Sequence, residues 1–147
     1  MQKYIGCKIV EAEPMDQKTF EETVRNRPYD SPISALGYKI IYPDGYVSWS
    51  PKDVFEQAYL RVGDNNTIIE TNVHDFVKKI EYQQWGDKTT IAKATLANGF
   101  IVTESSSCVD PANFSMDIGQ NICKENIYNK VWNLLGFLLQ TAQKGIK

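Results

Sequence analysis

Two short turn motifs constrain the fold of this chain more than any other feature of its sequence. Both are Asx-Gly pairs flanked by aromatic and β-branched runs: Asp44-Gly45 between residues 37–42 and 46–50, and Asn98-Gly99 between residues 89–96 and 100–105. Such pairs are strong hairpin signals, because asparagine, aspartate and glycine tolerate the positive φ that tight hairpin turns require. The sequence therefore predicts two antiparallel hairpins.

A helix start with proline in its first turn follows each hairpin. Ser50-Pro51 predicts a helix capped by Ser50, with a buried face of Val54, Phe55, Ala58 and Tyr59. Asp110-Pro111 predicts a second capped start, ahead of a long helix over residues 115–143. The apolar stripe predicted to face the sheet is Cys123, Ile127, Val131, Leu134, Leu135 and Leu138.

The remaining elements follow from weaker patterns. Alternating apolar residues predict a strand over residues 3–12, and Asp16 is a predicted cap for a short helix. A second short helix, capped by Asn72, is predicted to carry Val73, Phe76, Val77 and Ile80, with a strand over residues 82–85.

These elements predict an α+β fold of two small antiparallel hairpin or meander units, each with packed helices. The predicted domains are a β-α-β-β-α module over residues 1–61, a polar linker over residues 62–70 and an α-β-β-β-α domain over residues 71–147. The long helix also carries a second apolar stripe of Ile118, Ile122, Tyr128, Trp132 and Leu139. Because one sheet covers one stripe, the second predicts contact with the first unit or with another copy, as a dimer or higher homo-oligomer.

Composition excludes several partner classes. The net charge of −2 disfavours duplex nucleic acid, and no apolar run approaches the roughly 20 residues of a membrane span. Three widely spaced cysteines and a single histidine, His74, suit a reducing compartment and predict no metal site and no cofactor. Cys108 could be a nucleophile, but the one histidine available as its partner, His74, is far off in sequence, so no catalytic residues are predicted.

The sequence favours a binding site over a catalytic one. Hydroxyls ahead of a helix start favour an anion such as phosphate, and aromatic rings favour a stacked base. The predicted ligand-binding residues are Phe100, Thr103, Ser105, Ser107, Asp110, Asn113 and Lys124. Ser105, Ser107 and Lys124 are assigned to phosphate, Phe100 to stacking, and Asp110 and Asn113 to the helix start or a ribose hydroxyl. Serine runs before a cap are also common in loops without any ligand.

The second half of the chain resembles the gene-49/gene-66 family of small bacteriophage proteins. The resemblance covers about residues 71–140 and rests on three motifs in order: Asn98-Gly99-Phe100, the box Val109-Asp110-Pro111-Ala112-Asn113-Phe114, and Ile118-Gly119. It implies a phage accessory protein in the cytoplasm of the infected bacterial host.

The first half resembles an N-terminal module of phage accessory proteins. The residues that carry this resemblance are Tyr4-Ile5-Gly6, Glu13-Pro14-Met15 and the run from Tyr42-Pro43-Asp44-Gly45-Tyr46 through Trp49-Ser50-Pro51-Lys52-Asp53-Val54-Phe55. Several proteins built on that module resemble anti-defence proteins that sequester cyclic nucleotide or cyclic ADP-ribose signals of Thoeris and CBASS immunity. The resemblance implies a non-catalytic sponge for a phosphate-bearing nucleotide signal. Two alternatives stay open, namely an inhibitor of a host defence enzyme and an enzyme that degrades the signal.

Overall fold

Two three-stranded antiparallel sheets and four helices form the chain, in a computed structural model that describes residues 1–147. This architecture confirms the predicted α+β class. The chain divides into two compact units, one of Met1–Arg61 with Thr141–Lys147 and one of Val62–Gln140. They are called the first and second unit below.

The sheet of the first unit is built around the hairpin at Gly45. Its strands are β1 (Glu11–Pro14), β2 (Gly37–Ile41) and β3 (Val47–Pro51), in the order β1-β2-β3. The turn is closed by Asp44, whose carboxylate accepts the Tyr46 N–H at 3.0 Å, while Gly45 takes a φ of 86°. The positive φ at Gly45 is the feature that the Asp-Gly pair predicted.

The predicted strand over residues 3–12 is wrong for most of its length. Strand β1 covers only Glu11–Pro14, and its last pair joins Glu11 to Ile41. Because β2 ends at Ile41, residues before Glu11 have no strand to pair with in this sheet, and local alternation alone does not make a strand.

The helices of the first unit are α1 (Gln17–Thr19), which continues as a π-helical turn over Phe20–Val24, and α2 (Lys52–Ala58). Asp16 caps α1 as predicted, since its carboxylate accepts the Thr19 N–H at 3.1 Å. Ser50 does not cap α2, because it lies in β3 opposite Tyr38.

The buried face predicted for α2 is wrong for two of its four residues, while Phe55 and Tyr59 are half-buried. Val54 is 59% exposed and Ala58 is exposed. A seven-residue helix presents few side chains to the sheet, and α2 makes its contacts through Phe55, which stacks on Tyr38 and on Tyr59 with ring centroids 4.3 and 4.8 Å apart.

The second unit contains α3 (Glu70–Phe76), β4 (Val77–Trp85), β5 (Thr89–Leu96), β6 (Ile101–Ser107), a 3-10 turn (Pro111–Asn113) and the long helix α4 (Met116–Lys144). The strand order is β4-β5-β6. Strand β5, the turn at Gly99 and the long helix confirm the predictions.

The short helix was predicted too far along the chain. It starts at Glu70, where the Asn72 side chain accepts the Ile69 N–H at 3.0 Å, and it ends at Phe76. Val77 and Ile80 belong to β4, because pairing with β5 decides their conformation.

Helix α4 packs on one face of this sheet. Thr90, Ala92, Ala94 and Leu96 of β5 are buried against Cys123, Ile127, Val131 and Leu135. Leu134 and Leu138, predicted for the same stripe, are 41% and 43% exposed, because the buried row advances by four residues from Gly119 to Leu135 and leaves them beside it. In the second predicted stripe, Ile118, Ile122 and Trp132 are exposed and Tyr128 and Leu139 are half-buried.

None of the helices combines the length and the apolar character that a membrane span requires.

Two glycines of α4 provide a matched test of this packing. A methyl group at Gly119 would overlap the Thr90 side chain, whereas one at Gly136 meets no atom within 4 Å. We expect Gly119→Ala to lower the free energy of unfolding by about 1–3 kcal/mol through overpacking. Gly136→Ala should raise it by up to about 1 kcal/mol through helix propensity. Urea melts followed by circular dichroism measure both, and equal effects of the two variants would contradict the described packing.

The cap of α1 predicts a pH dependence. Hydrogen bonds from the Ser34 hydroxyl, the Thr19 hydroxyl and the Thr19 N–H lower the pKa of Asp16 from 3.8 to about 2. Because the folded pKa is depressed, the carboxylate stabilises the fold above pH 3.8, and this contribution is lost as the pH falls towards about 2. In thermal melts, Asp16→Asn should lose less stability than the wild type across this window, while Asp30→Asn should follow the wild type. Parallel curves for all three proteins would contradict the cap.

Candidate functional site

The face of the second sheet opposite α4 carries the candidate site, and we call it the open face. Side chains of a strand alternate between the two faces, so the register assigns them. Four cross-strand rows make up the open face: Trp85, Thr89 and Ser107; Gln83, Ile91 and Ser105; Glu81, Lys93 and Thr103; and Lys79, Thr95 and Ile101. Three of the seven predicted ligand-binding residues therefore share it.

The hydroxyl groups of this face line one side of β6. Thr103, Ser105 and Ser107 are exposed, while Val102, Glu104 and Ser106 between them are buried or half-buried. The Ser107 and Thr89 hydroxyl oxygens lie 2.8 Å apart across the strands. Hydroxyls both donate and accept hydrogen bonds, so this row offers adaptable partners to a polar ligand.

Phe100 lies away from these serines. It occupies the β5–β6 turn, seven residues before Ser107, which corresponds to about 24 Å along an extended strand. The aromatic ring in the same cross-strand row as Ser107 is instead Trp85, which pairs with Thr89, lies two strands from Ser107 and is 71% exposed. Trp85 was not among the predicted site residues, although extending the register across the turn at Gly86 to β6 would have placed it in the same row as Ser107.

Asp110 and Asn113 do not form an anion-binding helix start. Pro111 has no N–H, and the three N–H groups after it have internal acceptors: Ala112 bonds to the Asp110 carboxylate, Asn113 to the Asp110 carbonyl and Phe114 to the Pro111 carbonyl. This segment is one 3-10 turn. Helix α4 begins separately, with the Ser115 hydroxyl accepting the Ile118 N–H at 3.4 Å. The N–H groups after Asp110 are therefore not free to bind an anion.

Lys124 lies on the opposite side of the sheet from the serines. It belongs to α4, and its ammonium is 5.7 Å from the centroid of the Tyr128 ring, on which His74 also packs at 4.5 Å. The sheet separates it from Ser105 and Ser107, so the structure does not bring together the three residues assigned to phosphate. His74 contacts Tyr128 and Glu70, and the Cys108 thiol donates to the Asp110 carbonyl at 3.2 Å.

The charges of the open face lie in two adjacent rows. A hydrogen bond and the positive charge of Lys79, 3.0 Å away, together with Lys93 at 4.0 Å, lower the pKa of Glu81. Two ammonium groups thus share one carboxylate, which leaves a surplus positive charge beside Thr103. The row of Glu81 and Lys93 lies about 14 Å from the Trp85 row, since residues two apart on a strand are about 6.8 Å apart.

The first unit contains a groove lined by aromatic side chains, which we call the aromatic groove. This open groove of about 460 Å³ is lined by Lys8, Tyr42, Pro43, Asp44 and Tyr46. The Lys8 ammonium is 4.4 Å from the centroid of the Tyr42 ring, so a cation of the chain itself already occupies one aromatic face of this groove. In the whole chain, no three His, Cys, Asp or Glu side chains are close enough to hold a metal ion together.

Comparison with known proteins relates the second unit to phages. The chain matches the family described as phage protein (N4 Gp49/phage Sf6 gene 66) over residues 58–143. No curated protein and no solved structure is significantly similar to the chain. The resemblance of residues before this match to an anti-defence module stays a prediction. Since the match spans more than half of the 147 residues, the chain belongs to the phage protein (N4 Gp49/phage Sf6 gene 66) family.

Proposed function

We propose that this phage protein is an accessory protein that binds and sequesters a cyclic nucleotide-type immune signal in the cytoplasm of the infected host, without catalysis. The observation that carries the proposal is the open face, where an exposed tryptophan, a row of hydroxyls and two lysines share one surface. The resemblance of the first half to a module of anti-defence proteins supports the same ligand class.

The open face matches the chemistry of a nucleotide in two parts. An exposed indole ring offers a stacking surface for a base, and stacking on an aromatic residue is sequence-tolerant. Phosphate oxygens need donors, which Ser105, Ser107 and Thr103 supply as hydroxyls and Lys93 supplies as an ammonium. In this proposal Trp85 takes the stacking role first assigned to Phe100, and Lys93 takes the role assigned to Lys124.

Tryptophan fluorescence tests the proposal directly. Titration with cyclic oligonucleotides and cyclic ADP-ribose isomers should change the emission of the wild type for at least one ligand. In isothermal titration calorimetry, which needs no tryptophan reporter, Trp85→Ala should weaken the binding of that ligand by roughly 5- to 150-fold, the loss expected when a stacked base worth about 1–3 kcal/mol is released. Lys124→Ala is the matched control and should retain wild-type affinity, because Lys124 lies across the sheet.

Three results separate the alternative functions. Binding by no member of the panel, with folded protein, would contradict the proposal. Equal affinity of Trp85→Ala and the wild type would place the ligand elsewhere. After prolonged incubation and denaturation of the protein, the ligand should be recovered intact, and recovery of a cleaved product would identify a signal-degrading enzyme instead.

A second candidate function is inhibition of a host defence enzyme by direct binding. The observation that favours it is the exposure of Ile118, Ile122 and Trp132 on α4, of which Ile118 is 62% exposed. In a pull-down from host lysate, this function predicts a stoichiometric defence enzyme that Ile118→Lys releases and Lys124→Ala retains. Recovery of no such partner would count against it.

A further inference from the structure

Strand β6 forms an edge of the second sheet, and no neighbouring strand pairs with its outward backbone groups. Two hydrogen bonds show which residues of β6 form hydrogen-bonded pairs with β5. The Leu96 N–H donates to the Phe100 carbonyl at 2.9 Å, and the Cys108 N–H donates to the Lys88 carbonyl at 3.0 Å. Because hydrogen-bonded and non-hydrogen-bonded pairs alternate, the even-numbered residues of β6 bond to β5. The N–H and carbonyl groups of Ile101, Thr103, Ser105 and Ser107 therefore point away from the sheet.

The other three sheet edges carry features that disfavour strand addition. Strand β1 has four residues and ends in Pro14, and β3 ends in Pro51. Strand β4 has an irregularity between Val77 and Lys79, next to Lys78. Proline, bulges and edge lysines all disfavour pairing with a further strand. Strand β6 has seven residues and contains none of the three.

One side chain from α4 reaches the β6 edge. The Lys130 ammonium donates to the Thr103 carbonyl at 3.2 Å and pairs with the Glu104 carboxylate. The bond to Thr103 agrees with the outward direction of the odd-numbered carbonyls. It also places one positive and one negative group of the chain at the midpoint of this edge.

We propose that β6 pairs antiparallel with β6 of a second copy of this chain, which joins two three-stranded sheets into one of six strands. The register centred on Glu104 would pair every outward group of the edge, with Thr103 of one copy opposite Ser105 of the other and Ile101 opposite Ser107. The Lys130 ammonium would release the Thr103 carbonyl and keep its ion pair with Glu104. Hydroxyl pairs across strands are favourable. The two Glu104 carboxylates would face each other, and the two Lys130 ammonium groups neutralise them, so the edge is complementary to itself.

The two long helices do not obstruct this pairing. Helix α4 packs on β5, the central strand of its sheet. In the six-stranded sheet the two β5 strands are three strand spacings apart, about 14 Å. Packed helices need only about 8–10 Å between their axes. In this arrangement Lys130 and Glu104 would lie in the space between the two helices. The second stripe of α4 predicted contact with the first unit or with another copy through that helix, whereas the proposed dimer uses the β6 edge.

A proline at Ser105 tests this interface. The Ser105 N–H points away from β5, so Ser105→Pro removes an intermolecular donor and leaves the ladder inside the sheet intact. In sedimentation velocity we expect the wild type and Ser105→Ala to form dimers with similar dissociation constants. Ser105→Pro should raise that constant roughly tenfold or more, with an unchanged circular dichroism spectrum. A wild type that stays monomeric at all concentrations, or a Ser105→Pro protein that dimerises like Ser105→Ala, would overturn the proposal.

Amide hydrogen exchange on the wild type provides a second measurement that does not depend on the folding of a variant. At high protein concentration the amides of Thr103, Ser105 and Ser107 should be protected, and dilution should expose them. The amides of Val102 and Glu104, bonded within the sheet, should stay protected throughout. Fast exchange of the odd-numbered amides at every concentration would overturn the proposal. Neither experiment contains a ligand, so its outcome is independent of the proposed nucleotide binding.

Discussion

The close packing of α4 on β5 determines what the rest of the second unit presents to its surroundings. Ala92 and Ala94 have small side chains, and Gly119 lets the helix backbone approach Thr90. The packed helix covers one face of the sheet along its central strand. The opposite face and the two outer strands are then left to interact with other molecules.

The fold could be predicted from the sequence where local signals determine it. The hairpin at Gly45, the turn at Gly99 and the cap at Asp16 are local signals, and the structure confirms each of them. Predictions failed where a partner decides the conformation. The residues before Glu11 lack a strand to pair with, and Val77 joins β5 although its spacing also suits a helix.

The candidate site shows the same division between local and non-local information. A period of two along β6 is enough to place Thr103, Ser105 and Ser107 on one side. The side of the sheet that α4 covers cannot be read from that period, and this side decides that Lys124 is remote from the serines. Trp85 joins them through two successive strand registers, each of which is set by a turn.

Strand β6 connects the two proposals through different groups. Its odd-numbered side chains line the open face, while its odd-numbered backbone groups form the edge. Small hydroxyl residues suit both roles, because they offer donors and do not shield the backbone. Pairing of two β6 strands would set two open faces side by side, so that a ligand larger than one nucleotide contacts both copies.

In the proposed function the ligand binds this open face, and not the aromatic groove of the first unit. Nuclear magnetic resonance titration of the isotope-labelled chain with the ligand found by fluorescence tests this most directly. We predict that the indole N–H of Trp85 and the amides of Ser105 and Ser107 shift together, while those of Tyr42 and Lys124 do not. Shifts confined to Lys8, Tyr42 and Tyr46 would contradict it.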